Sequence, residues 1–153
     1  MATAEIVGDA IHAVVEIAAP PERVFRALTD PEQLSAWWGA EGAYRTHAWE
    51  LELKPGGRWG CNATNPTTGM ESRVEGEVLE VDPPRALSYT WNASWAAIPQ
   101  TVVRYELTAT AAGTRVALTH TGFGAHAKEQ QDHTQGWSSV LGWLEAYAAG
   151  RGA

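Results

Sequence analysis

Between Ile11 and Phe123 the hydrophobic positions mostly recur at every second residue, the period of strands that bury one face. Ile11, Ala13, Val15 and Ile17 alternate with His12, Val14 and Glu16. Trp49, Leu51 and Leu53 alternate with acids, Pro55-Gly56-Gly57 makes a turn, and Trp59, Cys61 and Ala63 follow on an inward face. Val74, Gly76 and Val78 oppose Arg73, Glu75 and Glu77, a solvated face against a small apolar one. Leu87, Tyr89, Trp91, Ala93 and Trp95 oppose Ser88, Thr90, Asn92 and Ser94, the cleanest strand in the chain. Val103, Tyr105, Leu107 and Ala109 oppose Arg104, Glu106 and Thr108; Val116, Leu118 and His120 oppose Arg115, Ala117 and Thr119. Residues 1–10 read as a loose lead-in.

Two stretches keep a helical period. Pro21 suits the first turn of a short helix carrying Val24, Phe25 and Leu28 on one face, with Glu22 favourable at its dipole. Asp30 and Gln33 have the spacing of a capping box that starts a second short helix, ending at Trp37-Trp38-Gly39. At the other end His133, Trp137, Val140, Leu141, Leu144 and Tyr147 recur at three- and four-residue steps. That helix is expected from near Lys128 to Ala149, with Asp132 and Gln135 as a candidate capping box and a possible break at Gly136.

Strand, two short helices, about six antiparallel strands and a long helix give an α+β domain over residues 11–149, with 150–153 as a tail. An antiparallel sheet with one charged face needs a cover on the other face alone. The terminal helix is the element with the length and stripe to supply it. A twisted sheet gripping one helix leaves a hollow where small side chains such as Gly76, Ala93 and Ala109 fail to fill it, and ligand pockets favour such sites.

Composition sharpens this. Eight Trp against two Phe is an unusual core, because indole is large and its N–H needs a partner when buried. Trp38, Trp59, Trp91, Trp95 and Trp137, spread over several elements, suggest an aromatic-lined wall, although each alone also reads as a core residue. A net charge of −7, with nine Arg and two Lys scattered, argues against nucleic acid and anionic membrane. No apolar run reaches the roughly 20 residues of a membrane span. The absence of a signal-like start and the single cysteine point to the cytoplasm. Monomer and homodimer both stay open.

The motifs Ala19-Pro20-Pro21-Glu22-Arg23-Val24-Phe25, Leu28-Thr29-Asp30-Pro31-Glu32, Trp37-Trp38-Gly39, Lys54-Pro55-Gly56-Gly57-Arg58-Trp59, Val81-Asp82-Pro83-Pro84-Arg85-Ala86-Leu87-Ser88-Tyr89-Thr90-Trp91, Thr119-His120-Thr121-Gly122-Phe123 and Gly136-Trp137 occur in order. Together they resemble the START-like (SRPBCC) superfamily, in the branch of homologues of the activator of the heat-shock-protein-90 ATPase. The likeness covers roughly residues 10 to 148. It implies a helix-grip fold, a curved antiparallel sheet wrapped around the C-terminal helix and enclosing a hydrophobic cavity. It does not imply one reaction, since the superfamily holds lipid and hormone binders, cyclases and aromatases.

Candidate chemistry is sparse. His120 points under the helix by alternation, and His133 sits at the polar end of the helix stripe with Gln130 one turn back. Two imidazoles by one cavity can serve as acid and base near neutral pH. The same pattern fits a buried His120 bonded to a backbone group, Tyr or Trp, and an exposed His133. Tyr89 and Tyr105 bring inward hydroxyls. No metal ligand set has regular spacing, Cys61 reads as a small core residue, and Gly56-Gly57 is a turn with Arg58 free to pair with Glu52. No cofactor is called for. The expected ligand is a small hydrophobic or aromatic molecule touching Trp38, Trp59, Tyr89, Trp91, Tyr105, Gln130, Trp137 and Leu141, with His120 and His133 as the catalytic candidates if a reaction occurs. A protein-binding role for the outer sheet face is the remaining alternative.

Overall fold

The computed structural model describes residues 2–40 and 43–150. Its strands are β1 (Thr3–Val7), β2 (Ala10–Ile17), β3 (Gly39–Ala40), β4 (Tyr44–Leu51), β5 (Arg58–Thr64), β6 (Glu71–Asp82), β7 (Ala86–Ala93), β8 (Thr101–Ala109) and β9 (Thr114–Thr121). Helices α1 (Pro21–Thr29) and α2 (Pro31–Trp37) lie between β2 and β3, and α3 (Ala127–Gly150) ends the fold. One antiparallel sheet runs β1-β2-β9-β8-β7-β6-β5-β4-β3. The α+β helix-grip arrangement expected from the motifs is present.

The long helix covers the inner face. Gln130, His133, Trp137, Val140, Leu141, Leu144 and Ala148 are its buried residues, and they join one core with Ile11, Val15, Tyr105 and Leu118 of the sheet. The outer face carries charge pairs, across strands between Arg104 and Glu80, Arg115 and Glu16, and Arg73 and Glu50, and along one strand between Arg104 and Glu106 and between Arg73 and Glu75. No described helix is long and apolar enough to cross a membrane.

Several local expectations are corrected. Residues 3–7 are not a loose lead-in but edge strand β1, paired to β2. Asp30 caps α2 by accepting from the Glu32 N–H at 3.1 Å, but the capping box is incomplete. The Asp30 N–H is already given to the Arg26 carbonyl that closes α1, so Gln33 Nε2 bonds the Asp30 carboxylate instead. Glu52 accepts from the backbone N–H of Arg58 rather than from its guanidinium. The helix α3 runs through Gly136 unbroken, and Asp132 accepts from Lys128 one turn back rather than capping a second helix. The tail expected over 150–153 lies outside the described residues from 151 onward.

Two bulges explain where the period-two reading slips. Ala48 takes a φ of 55°, and three steps from His47 to Glu50 match two steps on β5. Trp49 and Leu51 are therefore only half buried, and Leu53, expected inward, is exposed beyond the strand end. A second extra residue between Val78 and Glu80 leaves Leu79 outside. On β7, Leu87, Tyr89 and Trp91 do face in, but the strand stops at Ala93, so Trp95 sits 53% exposed in the following turn.

Candidate functional site

A pocket of about 370 Å³ opens between the inner face of β4–β7 and the first half of α3. Trp38, just past α2, and Tyr44 and Thr46 of β4 form one side, and Cys61, Ala63 and Val74 of β5 and β6 form the back. Trp91 of β7 and Trp95 beyond its end also line it, and Asp132, His133, Gly136, Trp137 and Val140 come from α3. Asn65, Met70 and Ser72 complete the rim. The hollow exists because the facing side chains are small. Cys61 and Ala63 are alternate inward residues of β5, and a Cβ built on Gly136 would meet nothing within 4 Å.

Three of the indoles around it, Trp38, Trp91 and Trp137, are anchored by their N–H groups. Trp38 Nε1 donates to Tyr44 Oη at 3.2 Å, and Thr46 Oγ1 donates to the Trp38 carbonyl while accepting from Trp49 Nε1 at 3.0 Å. Trp91 Nε1 donates to His133 Nε2 at 3.2 Å, and Trp137 Nε1 donates to His120 Nδ1 at 2.9 Å. The rings then meet at steep angles: Trp91 and Trp137 lie 5.2 Å apart at 51°, Trp38 and Trp137 5.8 Å at 64°, Trp91 and Trp95 6.4 Å at 86°. Buried indoles that each satisfy their one donor form a rigid wall at little desolvation cost.

Both histidines are held neutral. His120 is wholly buried; its Nδ1 accepts from Trp137, which leaves Nε2 to donate to Thr101 Oγ1 at 2.7 Å. Burial, with His133 nearby, pushes its pKa down to about 2. His133 donates from Nδ1 to the Glu129 carbonyl at 2.7 Å and accepts Trp91 on Nε2; burial lowers its pKa as well, against the Glu129 bond. Both nitrogens of both rings are engaged. His133 lines the pocket; His120 lies behind Trp91 and Trp137. Burial also raises the Cys61 thiol to about 12, so it stays protonated.

Of the expected contacts, Trp38, Trp91, Trp137 and His133 line the pocket. The others are placed elsewhere. Trp59 packs on Tyr89 with ring centroids 4.2 Å apart and donates to the Thr90 carbonyl at 2.7 Å. Tyr89 and Tyr105 share a hydroxyl contact of 3.4 Å in the core, and Leu141 is wholly buried. Gln130 is not at a pocket mouth; its amide donates to the Gly8 and Ala10 carbonyls, pinning α3 to the β1–β2 turn. Gly76 does not open the hollow either, since a Cβ there would meet the Thr90 carbonyl oxygen at 2.1 Å. Tyr44, Thr46, Asn65, Met70, Ser72, Asp132, Gly136 and Val140 line it without having been singled out from the sequence, and Cys61, buried in the core as expected, faces it too. The signal available was the pair of small inward residues on β5 and the glycine within the helix stripe. Among the described residues no three His, Cys, Asp or Glu side chains gather as a metal ion would need.

A curved antiparallel sheet gripping a C-terminal helix, with an apolar pocket between them, defines a START-like protein of helix-grip class. The chain belongs to the family described as activator of Hsp90 ATPase homolog 1-like protein, which matches residues 18–149. No curated protein matches it significantly. Among solved structures it is similar to the AHSA1 protein of Silicibacter pomeroyi, at 28% identity over 92% of this chain and 97% of that one, with a TM-score of 0.78. A Chromobacterium violaceum protein shares 25% identity over 90% of this chain and 96% of its own, with a TM-score of 0.80. A Rhodobacter sphaeroides protein, 22% identical over 97% and 98%, superposes at a TM-score of 0.84 and shares the fold.

Proposed function

We propose that this protein binds a small, largely apolar or aromatic molecule in the pocket between β4–β7 and α3, as a carrier or sequestering protein. One observation carries the reading: the chain keeps an open, aromatic-walled hollow of about 370 Å³ where ordinary core side chains would fill it. That volume lies within the range of small-molecule sites, which are mostly apolar with a few polar groups. Its walls are fixed by their own hydrogen bonds, so a ligand would find the surface preformed. The histidine environments favour binding over acid–base catalysis. His120 has no free nitrogen and lies behind the wall, and no carboxylate orients either ring.

The test is equilibrium dialysis with naphthol. Wild type should bind it saturably at one site. Gly136→Leu fills the hollow from a position with open space and should abolish binding while the protein stays folded. The double change Arg104→Ala with Glu106→Ala, on the outer sheet face, should leave binding intact. Unsaturable uptake, or uptake indifferent to Gly136→Leu, sinks the reading.

A further inference from the structure

The pocket wall carries an electrical bias. Among the described residues, Asp132 is the one Asp, Glu, Lys or Arg that lines it. His133 and Cys61 are neutral there, as burial requires. The nearby cations face away. Lys128 reaches Asp132 from outside at 3.1 Å, and Arg73 lies on the outer sheet face with Glu75 and Glu50. Five aromatic rings, Trp38, Tyr44, Trp91, Trp95 and Trp137, supply the walls. Ring faces are negative and attract ammonium groups, most strongly when several meet at steep angles around a desolvated space. On α3 the lining residues Asp132, Gly136 and Val140 are four apart, so they form one stripe with the carboxylate at one end and an apolar floor at the other.

Building on the binding function above, we propose that the pocket selects an organic cation, with an aromatic or aliphatic body against Gly136 and Val140 and an ammonium group near Trp91, Trp95 and Asp132. Lys128 is no obstacle. Its pair with Asp132 is exposed on both sides, and such pairs are weak enough for a ligand ammonium to displace. Carboxylates and phosphates find no cation inside and meet a chain of net charge −7.

Three probes of one shape separate charge from size: naphthylmethyl-trimethylammonium, naphthylethanol and naphthylacetate, each measured by equilibrium dialysis at low salt. The cation should bind about tenfold or more tighter than the alcohol, and the anion most weakly. Asp132→Asn should lower cation affinity about three- to tenfold and leave naphthylethanol unchanged. Gly136→Leu should remove all three. If the cation binds no tighter than the alcohol, or Asp132→Asn leaves the preference untouched, the cation proposal falls while ligand binding stands. If no probe binds wild type, or binding ignores Gly136→Leu, the binding function falls and this proposal with it.

Discussion

The ring of His120 has its tautomer set from both sides. Trp137 donates to Nδ1, so the one proton of the neutral ring sits on Nε2 and goes to Thr101 Oγ1, which passes its own to the Trp91 carbonyl. A second proton on Nδ1 would point at the Trp137 N–H. The folded-state pKa near 2 lies below the ordinary 6.5, so the unfolded chain binds the extra proton. Stability is therefore complete above about pH 6.5 and falls as pH drops through it, by about 1.4 kcal/mol per pH unit for one histidine. His133, also lowered, pulls the same way. Urea denaturation between about pH 7 and pH 5 should show this decline, with a shallower slope in His120→Gln; equal slopes would remove His120 as its source. The inward direction of His120 was legible from β-alternation. A Trp partner was among the readings, but not which Trp, because Trp137 meets it across a β9–α3 packing that no local pattern encodes.

At the scale of elements, α3 decides whether the sheet has a cover. Leu144 is wholly buried at the core, so Leu144→Asp places an unpaired carboxylate there and should leave the protein unfolded or molten by circular dichroism and dye binding. Gly142 lies in the same helix with open space where a Cβ would be. Gly142→Ala should therefore raise stability by about 0.5–1 kcal/mol in the same urea assay. If Leu144→Asp melts like wild type, the helix does not dock as described. The 3.6-residue stripe made α3 legible, because it repeats over about four turns, from His133 to Tyr147, of one regular element. The bulges at Ala48 and after Val78 were not legible. A one-residue insertion changes which face each later side chain takes, and it depends on the neighbouring strand. Edge strand β1 was missed for a related reason: its burial pattern is mostly exposed, so it carries no alternation to read.

Across the whole molecule, an antiparallel sheet covered on one face by the terminal helix followed from the order of periods along the chain, and the helix-grip architecture from the family motifs. The location of the hollow did not. Trp59, Tyr89 and Tyr105 face inward as expected, yet they meet one another and fill their end of the sheet. The space remains at the other end, where Cys61 and Ala63 of β5 lie across from Gly136 of α3. Two short side chains and a glycine from distant segments leave a void only when the fold sets them opposite each other. Inwardness is a property of one strand; emptiness is a property of three.

The position of Cys61 in that back wall makes the protein's single cysteine a clock for occupancy. With burial raising its pKa to about 12, its reactive anion is scarce at neutral pH compared with that of a free thiol. Alkylation by iodoacetamide in the native protein should be correspondingly slow, and should accelerate to the free-thiol rate in urea. A molecule bound in the hollow should slow it further, in proportion to the fraction of protein it occupies. The rate in Gly136→Leu should be indifferent to added naphthol. The residue that keeps the wall small would thus also report, without a label, how far an added molecule fills the hollow.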